Sequence, residues 1–332
     1  MKNFDDLTRL GRIRRSKKII ELGLEHYDID VKKMTFLEEA TNIFYKVLDD
    51  KGKKYAVKVY QEINSNMDDA LVEMHFLQLI KENTDIQVPV PVKNKQGDFI
   101  TYLDTPYDDV KKRVSVYEWL PGKDLDENEK VEHFYEIGRI MAKVHEVTST
   151  HKLPKTLNPK RLDKVLYFSG DDYFYKMDKY RSKVSDKTYK LLDYMIPYLD
   201  ERMAKLYNEK PFLIHGDFNP YNVRLHRNSL RLLDFEDACV GYEIHDISIF
   251  LFYYQLDDDY EDYKKAFFKG YRSIRDIDID EEEMKMLMIA RRVNYMNYIL
   301  AISDDVEKYL DVNTDRVMTY LKALHGPDFN LD

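Results

Sequence analysis

The chain contains one cysteine, Cys239. A lone thiol closes no internal disulfide and cannot by itself build a zinc site, so neither kind of staple is expected to hold the fold. Glycine is scarce, 11 in 332 residues, and neither G-x-G-x-x-G nor G-x-x-x-x-G-K-[ST] occurs. Simple dinucleotide-binding and P-loop readings are therefore excluded, and any phosphate chemistry must be organised another way. Long apolar runs are missing too. The longest, Ile247 to Tyr254, is interrupted by Ser248 and falls far short of a membrane span. The start, Met1-Lys2-Asn3-Phe4-Asp5-Asp6, lacks the apolar core of a signal peptide, so a cytoplasmic address and no membrane partner are expected.

Positive charge is in deficit. Lys and Arg total 52 against 61 Asp and Glu, a net charge of −9. A nucleic-acid binder would normally show a net basic face, so no nucleic-acid partner is expected. A cationic partner stays open, beside the plainer reading that the charge aids solubility. What the chain has in abundance is aromatic surface, with 27 Tyr and 16 Phe. That is too much apolar area for disorder, and the length suits about two domains or one bilobal unit.

Periodicity divides the chain near Pro121-Gly122. Residues 1–30 read as helical, through Leu7, Leu10, Ile13, Ile19, Ile20 and Leu24. Alternating runs at Ile43–Leu48 and Lys54–Tyr60 flank Asp49-Asp50-Lys51-Gly52, a hairpin signature. A helix is expected over Met67–Lys81, followed by strands at Phe99–Leu103 and Val114–Leu120. Beyond residue 121 helical spacing dominates: Val131–Val147, Lys160–Phe168, Thr188–Tyr207, Asp259–Tyr271 and Glu281–Ile302. One strand-rich island, Phe212–Phe235, interrupts it.

That island carries the chemistry. Leu213-Ile214-His215-Gly216-Asp217-Phe218-Asn219-Pro220-Tyr221-Asn222 places Asp217 and Asn222 at D-x-x-x-x-N spacing, and a short strand then delivers Asp234-Phe235-Glu236. Phosphoryl transfer from ATP uses such a set: one carboxylate at the acceptor hydroxyl, plus an amide and a second carboxylate for magnesium, which takes oxygen ligands. A polar turn around Pro220 would also use Asn and Asp, but the paired Asp234 favours the chemical reading.

The two-part motif resembles the aminoglycoside phosphotransferase and choline kinase family, which includes type II homoserine kinases and bacterial stress kinases. The resemblance covers roughly residues 31 to 300. It implies an α+β, bilobal protein-kinase-like fold: residues 1–120 as an amino lobe with a small antiparallel sheet and one main helix, and residues 121–332 as a larger, mostly helical carboxyl lobe. It further implies that Asp217 is the catalytic base or hydroxyl-orienting group, that Asn222 and Asp234 bind Mg2+ with Glu236 assisting, and that His215 and Asp246 support the loop, Asp246 as a helix N-cap. ATP would be the co-substrate.

The same resemblance directs attention to Tyr55-Ala56-Val57-Lys58. Strand alternation puts Ala56 and Lys58 on one side, with Ala56 leaving room for adenine and Lys58 reaching phosphates, while Val57 and Val59 face the interior. Glu73 is the expected partner of Lys58, with Glu62 and Glu82 as competitors and an exposed helix glutamate as the plain alternative. Glu38-Glu39-Ala40-Thr41-Asn42-Ile43 stands where a glycine-rich loop would be and has no glycine, so Thr41 and Asn42 would meet the phosphates. Backbone groups of Glu118, Trp119 and Leu120 would line the adenine edge, although a single Trp is often only a buried anchor. Gly138 and His145 match the family's core helix, His145 as a packing residue.

The expected activity is Mg-ATP-dependent transfer of the γ-phosphate to a hydroxyl of a small aminoglycoside-, choline- or homoserine-like acceptor. A protein Ser/Thr kinase and a non-catalytic nucleotide-binding scaffold are the alternatives, and the oligomeric state is left open. For the acceptor, Asp257-Asp258-Asp259 with Glu261 and Asp262 beside Tyr253, Tyr254 and Tyr260 could bind a cation, or be a solvated helix start. Arg291, Arg292, Asn294, Tyr295 and Asn297 lie on a late helix that could reach the acceptor.

Overall fold

The computed structural model describes residues 4, 6–61, 66–106, 111–125, 129–167, 172–207 and 210–331. In chain order their main elements are α1 (Arg9–Leu24), β1 (Val31–Glu39), β2 (Ile43–Asp49), β3 (Lys54–Val59), α2 (Met67–Asn83), β4 (Pro91–Val92), β5 (Ile100–Leu103), β6 (Lys112–Glu118) and β7 (Lys123–Asp124). Then follow α3 (Val131–Thr150), β8 (Lys160–Arg161), α4 (Asp178–Arg181), α5 (Asp186–Leu206), β9 (Phe212–Ile214), β10 (Val223–His226), β11 (Ser229–Leu232) and β12 (Cys239–Gly241). The chain ends with α6 (Glu243–Tyr254), α7 (Tyr260–Arg272), α8 (Glu281–Ile302) and α9 (Glu307–His325).

These form two compact units. The first takes residues 1–129, 153–158 and 221–236; the second takes 130–152, 159–220 and 237–332. In the first unit an antiparallel sheet runs β1-β2-β3-β6-β4, with β5 also on β6. Ile43, Tyr45 and Val47 alternate inward along β2, and Val57 and Val59 do so along β3. They pack with Ile19, Ile20 and Leu24 of α1 into one apolar cluster, as period-two strands and an amphipathic helix require. The intervening β3 positions, Ala56 and Lys58, belong to the opposite face, where α2 lies. α2 is capped by Asn66, whose side chain accepts the Asp69 N–H at 2.9 Å.

A second sheet of this unit runs β11-β10-β7. Its β10–β11 hairpin closes through Arg227 and Asn228, at φ 49° and 62°. Two left-handed residues in a two-residue loop give the twist that matches paired strands.

The second unit is mainly helical around a core shared by α5, α8 and α9, with Leu191, Met195, Val293, Met296, Val317 and Leu321 fully or almost fully enclosed. Helices α3 and α7 approach through glycine. A Cβ on Gly138 would stand 2.1 Å from the Phe267 carbonyl oxygen, and one on Gly270 would stand 1.9 Å from that of Tyr135. Its small sheet runs β8-β12-β9, with β12 parallel to β8 and antiparallel to β9.

One expected helix is corrected. Lys160 and Arg161 form a strand rather than a helix start, because their backbone pairs with Cys239 and Val240, and the Leu162 N–H continues to the Val240 carbonyl at 3.0 Å. Leu162, Val165 and Leu166 keep helical spacing and are buried by tertiary packing, but residues 162–167 form no helix; residues 168–171 lie outside the described set. α9 has no counterpart among the expected helices, and α6, which the resemblance starts at Asp246, is not marked by periodicity. α6 is buried almost all round, and that apolar run conceals its periodicity. Among the described residues no helix is long and apolar enough to cross a membrane.

Candidate active site

In the first unit the chemistry gathers on Lys58, which is 1% exposed. Its Nζ lies 3.0 Å from Glu73 Oε2 and 2.8 Å from Glu236 Oε2. Glu73 therefore holds the place of partner, while Glu82 falls at the far end of α2 and Glu62 lies outside the described residues. Glu73 Oε1 also accepts the Tyr117 hydroxyl at 2.8 Å. Glu236 Oε2 accepts Asn42 Nδ2 at 2.7 Å, and Asn42 Oδ1 accepts the Gln61 N–H at 3.0 Å. Burial by itself would push the Lys58 ammonium down. The Glu236 and Glu73 carboxylates outweigh it and hold the group well above the ordinary lysine value. Burial pushes the adjacent Tyr60 hydroxyl up to about 12.

The β10–β11 hairpin carries the other oxygen donors of this unit. Val223 pairs with Leu232, and the Leu233 N–H donates to the Asn222 carbonyl at 2.8 Å, so Asn222 and Asp234 flank the open end of the hairpin. Asp234 is exposed and left-handed, with φ 58°. A short polar side chain tolerates that conformation better than most, and such outliers tend to gather at functional sites. Phe235 turns inward and meets Phe76 of α2 edge-on, ring centroids 5.0 Å apart. One residue later Glu236 reaches Lys58. Among the described residues no group of three or more His, Cys, Asp or Glu side chains gathers as a metal site. The amide of Asn222 and the carboxylate of Asp234 are nevertheless oxygen donors of the kind a hard cation shares with water and phosphate.

In the second unit, β9 leads into His215-Gly216-Asp217. Asp246, with no exposed surface, accepts the N–H groups of His215 and Gly216, each at 2.9 Å, and lies 3.1 Å from His145 Nε2. Burial alone would raise this carboxyl; the His145 contact and the loop N–H groups keep it below the usual aspartate value. An ionised carboxylate only accepts, so His145 Nε2 is the donor of this contact, and its Nδ1 lies 2.8 Å from the Tyr271 hydroxyl. The expected N-cap role of Asp246 is thereby corrected. α6 is capped at Tyr242, whose N–H is accepted by His245 Nδ1 at 3.0 Å, and Asp246 sits within the first turn with its side chain spent on the loop.

Gly216 is needed where it stands. Its φ is +79°, and a Cβ there would lie 2.2 Å from the Asp237 carbonyl oxygen. Tyr167 anchors its carbonyl from the other side at 2.8 Å. This leaves Asp217 in a defined pose, with Oδ1 bonded to Arg291 Nη2 and Oδ2 accepting Asn219 Nδ2 at 2.8 Å. The same Arg291 nitrogen reaches the Tyr253 hydroxyl at 3.1 Å. A carboxylate so held can accept a proton or orient a hydroxyl.

The sequence profile of the phosphotransferase enzyme family (APH) matches residues 34–278. The chain belongs to that family. Amicoumacin kinase of Bacillus subtilis strain 168 is 26% identical over 289 residues, 81% of this chain and 80% of the relative. Among solved structures, amicoumacin kinase hAmiN in complex with AMP-PNP, Ca2+ and Ami superposes with a TM-score of 0.76 at 18% identity, covering 93% of this chain and 96% of that one. A microcompartment-associated aminopropanol kinase gives 0.74 at 19% identity, covering 95% and 100%. The protein-kinase-like fold and the family resemblance are borne out.

Within this phosphotransferase the remaining candidate residues are placed as follows. Thr41 occupies the β1–β2 turn, which is closed by the Ala40 N–H on the Asn42 carbonyl at 3.0 Å. Asn42 is buried, and both its side-chain oxygen and nitrogen are engaged inside the unit. At the adenine-edge segment, the N–H of Glu118 donates to Val90 and that of Trp119 to Lys54, at 2.8 and 3.1 Å. These two N–H groups are thus committed to the fold, and the N–H of Leu120 has no backbone partner among the described residues. Trp119 is half-buried beneath the Lys46 ammonium, 4.0 Å from its ring centroid, and the Glu118 side chain pairs with Lys53 at the surface.

Sequence reasoning did not pair Arg291 with Asp217 or Asn42 with Glu236, because no spacing rule links positions so distant in the chain. One weak signal existed: an arginine amid Ala290 and Val293 on a buried helix face needs a carboxylate partner.

Proposed function

We propose that the protein is an ATP- and Mg2+-dependent kinase that phosphorylates a hydroxyl of a small, amine-bearing acceptor. The observation that carries this reading is the buried Lys58–Glu73 pair, standing in the same unit as Asn222 and Asp234. A lysine enclosed with two carboxylates is costly to bury unless its charge is used or fully matched. In phosphoryl transfer such a lysine contacts ATP phosphates while a carboxylate keeps it in place.

In this reading Lys58 binds and orients the nucleotide phosphates, Glu73 and Tyr117 fix the lysine, and the Leu120 N–H meets the adenine. The Asn222 amide and the Asp234 carboxylate hold Mg2+, which when bound neutralises phosphate charge. Asp217 accepts the hydrogen of the acceptor hydroxyl as the new P–O bond forms, with ADP as leaving group. Asp246 and His145 keep the Asp217 loop in place. The amine-bearing acceptor is supported by the kinases of amicoumacin and aminopropanol named above, and the net charge of −9 suits a cation.

The test is ADP release from Mg-ATP with 1-amino-2-propanol, amicoumacin, choline, homoserine and spectinomycin as acceptors, together with calorimetric titration of Mg-ATP. Stimulated ADP release with phosphorylated acceptor by mass spectrometry is expected for at least one of them. Nucleotide binding without transfer to any acceptor refutes the acceptor class. Absence of Mg-ATP binding at millimolar concentration refutes the kinase reading as a whole.

A further inference from the structure

We infer that Arg291 is a positioning residue for the Asp217 carboxylate, an inference that rests on the functional reading above. Both residues belong to the second unit, 74 positions apart in the chain. Arg291 arrives from α8 and is 8% exposed. Its guanidinium contacts Asp217 Oδ1 from one side while Asn219 holds Oδ2 from the other. A donor on each oxygen fixes the plane of the carboxylate.

The arginine is itself held. The Tyr253 hydroxyl stands 3.1 Å from the nitrogen that contacts Asp217, and the Tyr253 ring centroid lies 6.0 Å from the guanidinium carbon. Burial opposes the charge, but Tyr253 and Asp217 overcome it and keep the group firmly cationic. A buried arginine is expensive in isolation and tolerated when its partners are fixed. Both contacts come from one nitrogen, Nη2, so a lysine at that place could keep the charge and part of the bonding but not the flat guanidinium that faces the Tyr253 ring.

Arg291→Ala, Arg291→Lys and Tyr253→Phe are compared with wild type by initial rates of ADP formation from Mg-ATP. 1-Amino-2-propanol serves as acceptor, with water alone in parallel, and thermal melts are recorded for every variant. Arg291→Ala is expected to lower kcat on the order of 10²-fold, the usual result of a misplaced reacting group, with KM for Mg-ATP changed less than about threefold. Guanidinium chloride at about 20–50 mM, below denaturing levels, should restore part of that rate but not raise the melting point. Arg291→Lys should fall between, and Tyr253→Phe should lose about fivefold, the effect of one hydrogen bond.

A kcat within threefold of wild type in Arg291→Ala overturns the inference. So does a loss that tracks the folded fraction, ignores guanidinium and is not eased by lysine. If wild type shows neither transfer nor hydrolysis, the functional reading fails, and this inference falls with it.

Discussion

The two units handle buried carboxylates differently. In the first, Glu73 and Glu236 are matched by a lysine, so charge answers charge on a rigid sheet and helix. In the second, Asp246 is matched mostly by backbone: two loop N–H groups and one histidine ring nitrogen. The first arrangement holds a buried cation in place, which the proposed function assigns to a ligand. The second uses an anion to hold a left-handed turn in place. The comparison teaches that the same residue type fixes a side chain in one unit and loop geometry in the other, according to which donors surround it.

The largest effect should fall on turnover. Asp217→Asn removes the proposed proton acceptor yet keeps a side chain able to bond Asn219, so kcat should drop by about 10³–10⁴-fold with Mg-ATP affinity kept, while Arg291, deprived of its anionic partner, lowers the melting point. Single-turnover kinetics and calorimetry measure this, and a loss of nucleotide affinity would blur the division of labour between the units.

Next comes Lys58→Met. It leaves the buried Glu73 and the half-buried Glu236 without their shared cation and should cost about 3 kcal/mol of stability. A Lys58→Met/Glu73→Gln double variant should recover part of it, because removing one carboxylate relieves the repulsion. Urea denaturation of both proteins checks the point.

Asp246→Ala strips the acceptor from the His215 and Gly216 N–H groups and should cost about 3 kcal/mol, given the usual penalty for buried unsatisfied donors. With its carboxyl below the usual range in the fold, the Asp246 contribution is fully present above about pH 4 and fades as pH falls through the folded value.

The smallest effect expected concerns His245, which burial pushes down to about 4. Between about pH 6.5 and 4 the unfolded chain binds a proton that the folded one refuses, so stability falls as pH falls. From pH 6.5 to 5 this group should account for about 2 kcal/mol. His245→Asn, whose side chain can still accept the Tyr242 N–H, should flatten that slope in urea titrations. An unchanged slope would place the acid sensitivity elsewhere.

Much of this was legible in the sequence. The alternation of Ile43, Tyr45 and Val47, the turn at Asp49–Gly52 and the α2 face are local patterns, and local patterns survive folding. So did Glu73 as partner of Lys58: a strand and the next helix, short in sequence, bring positions fifteen apart together. Lys160–Phe168 misled because clustered apolar residues suit a helix as well as an irregular buried segment, and only pairing with β12 distinguishes them. α6 was hidden for a related reason, since a helix buried on all sides loses the contrast between faces.

The sequence by itself determined the reaction class: D-x-x-x-x-N followed by D-F-E, with the strand lysine, carries the resemblance to a phosphotransferase family to which the chain belongs. Only the tertiary structure decided what holds those residues. Glu236 meets Lys58 across 178 positions and Asn42 across 194, and Arg291 meets Asp217 across 74. Periodicity tells which side of a helix or strand a side chain leaves from. It does not tell which distant side chain waits there, because that depends on how the elements pack, and packing is settled by the whole core at once.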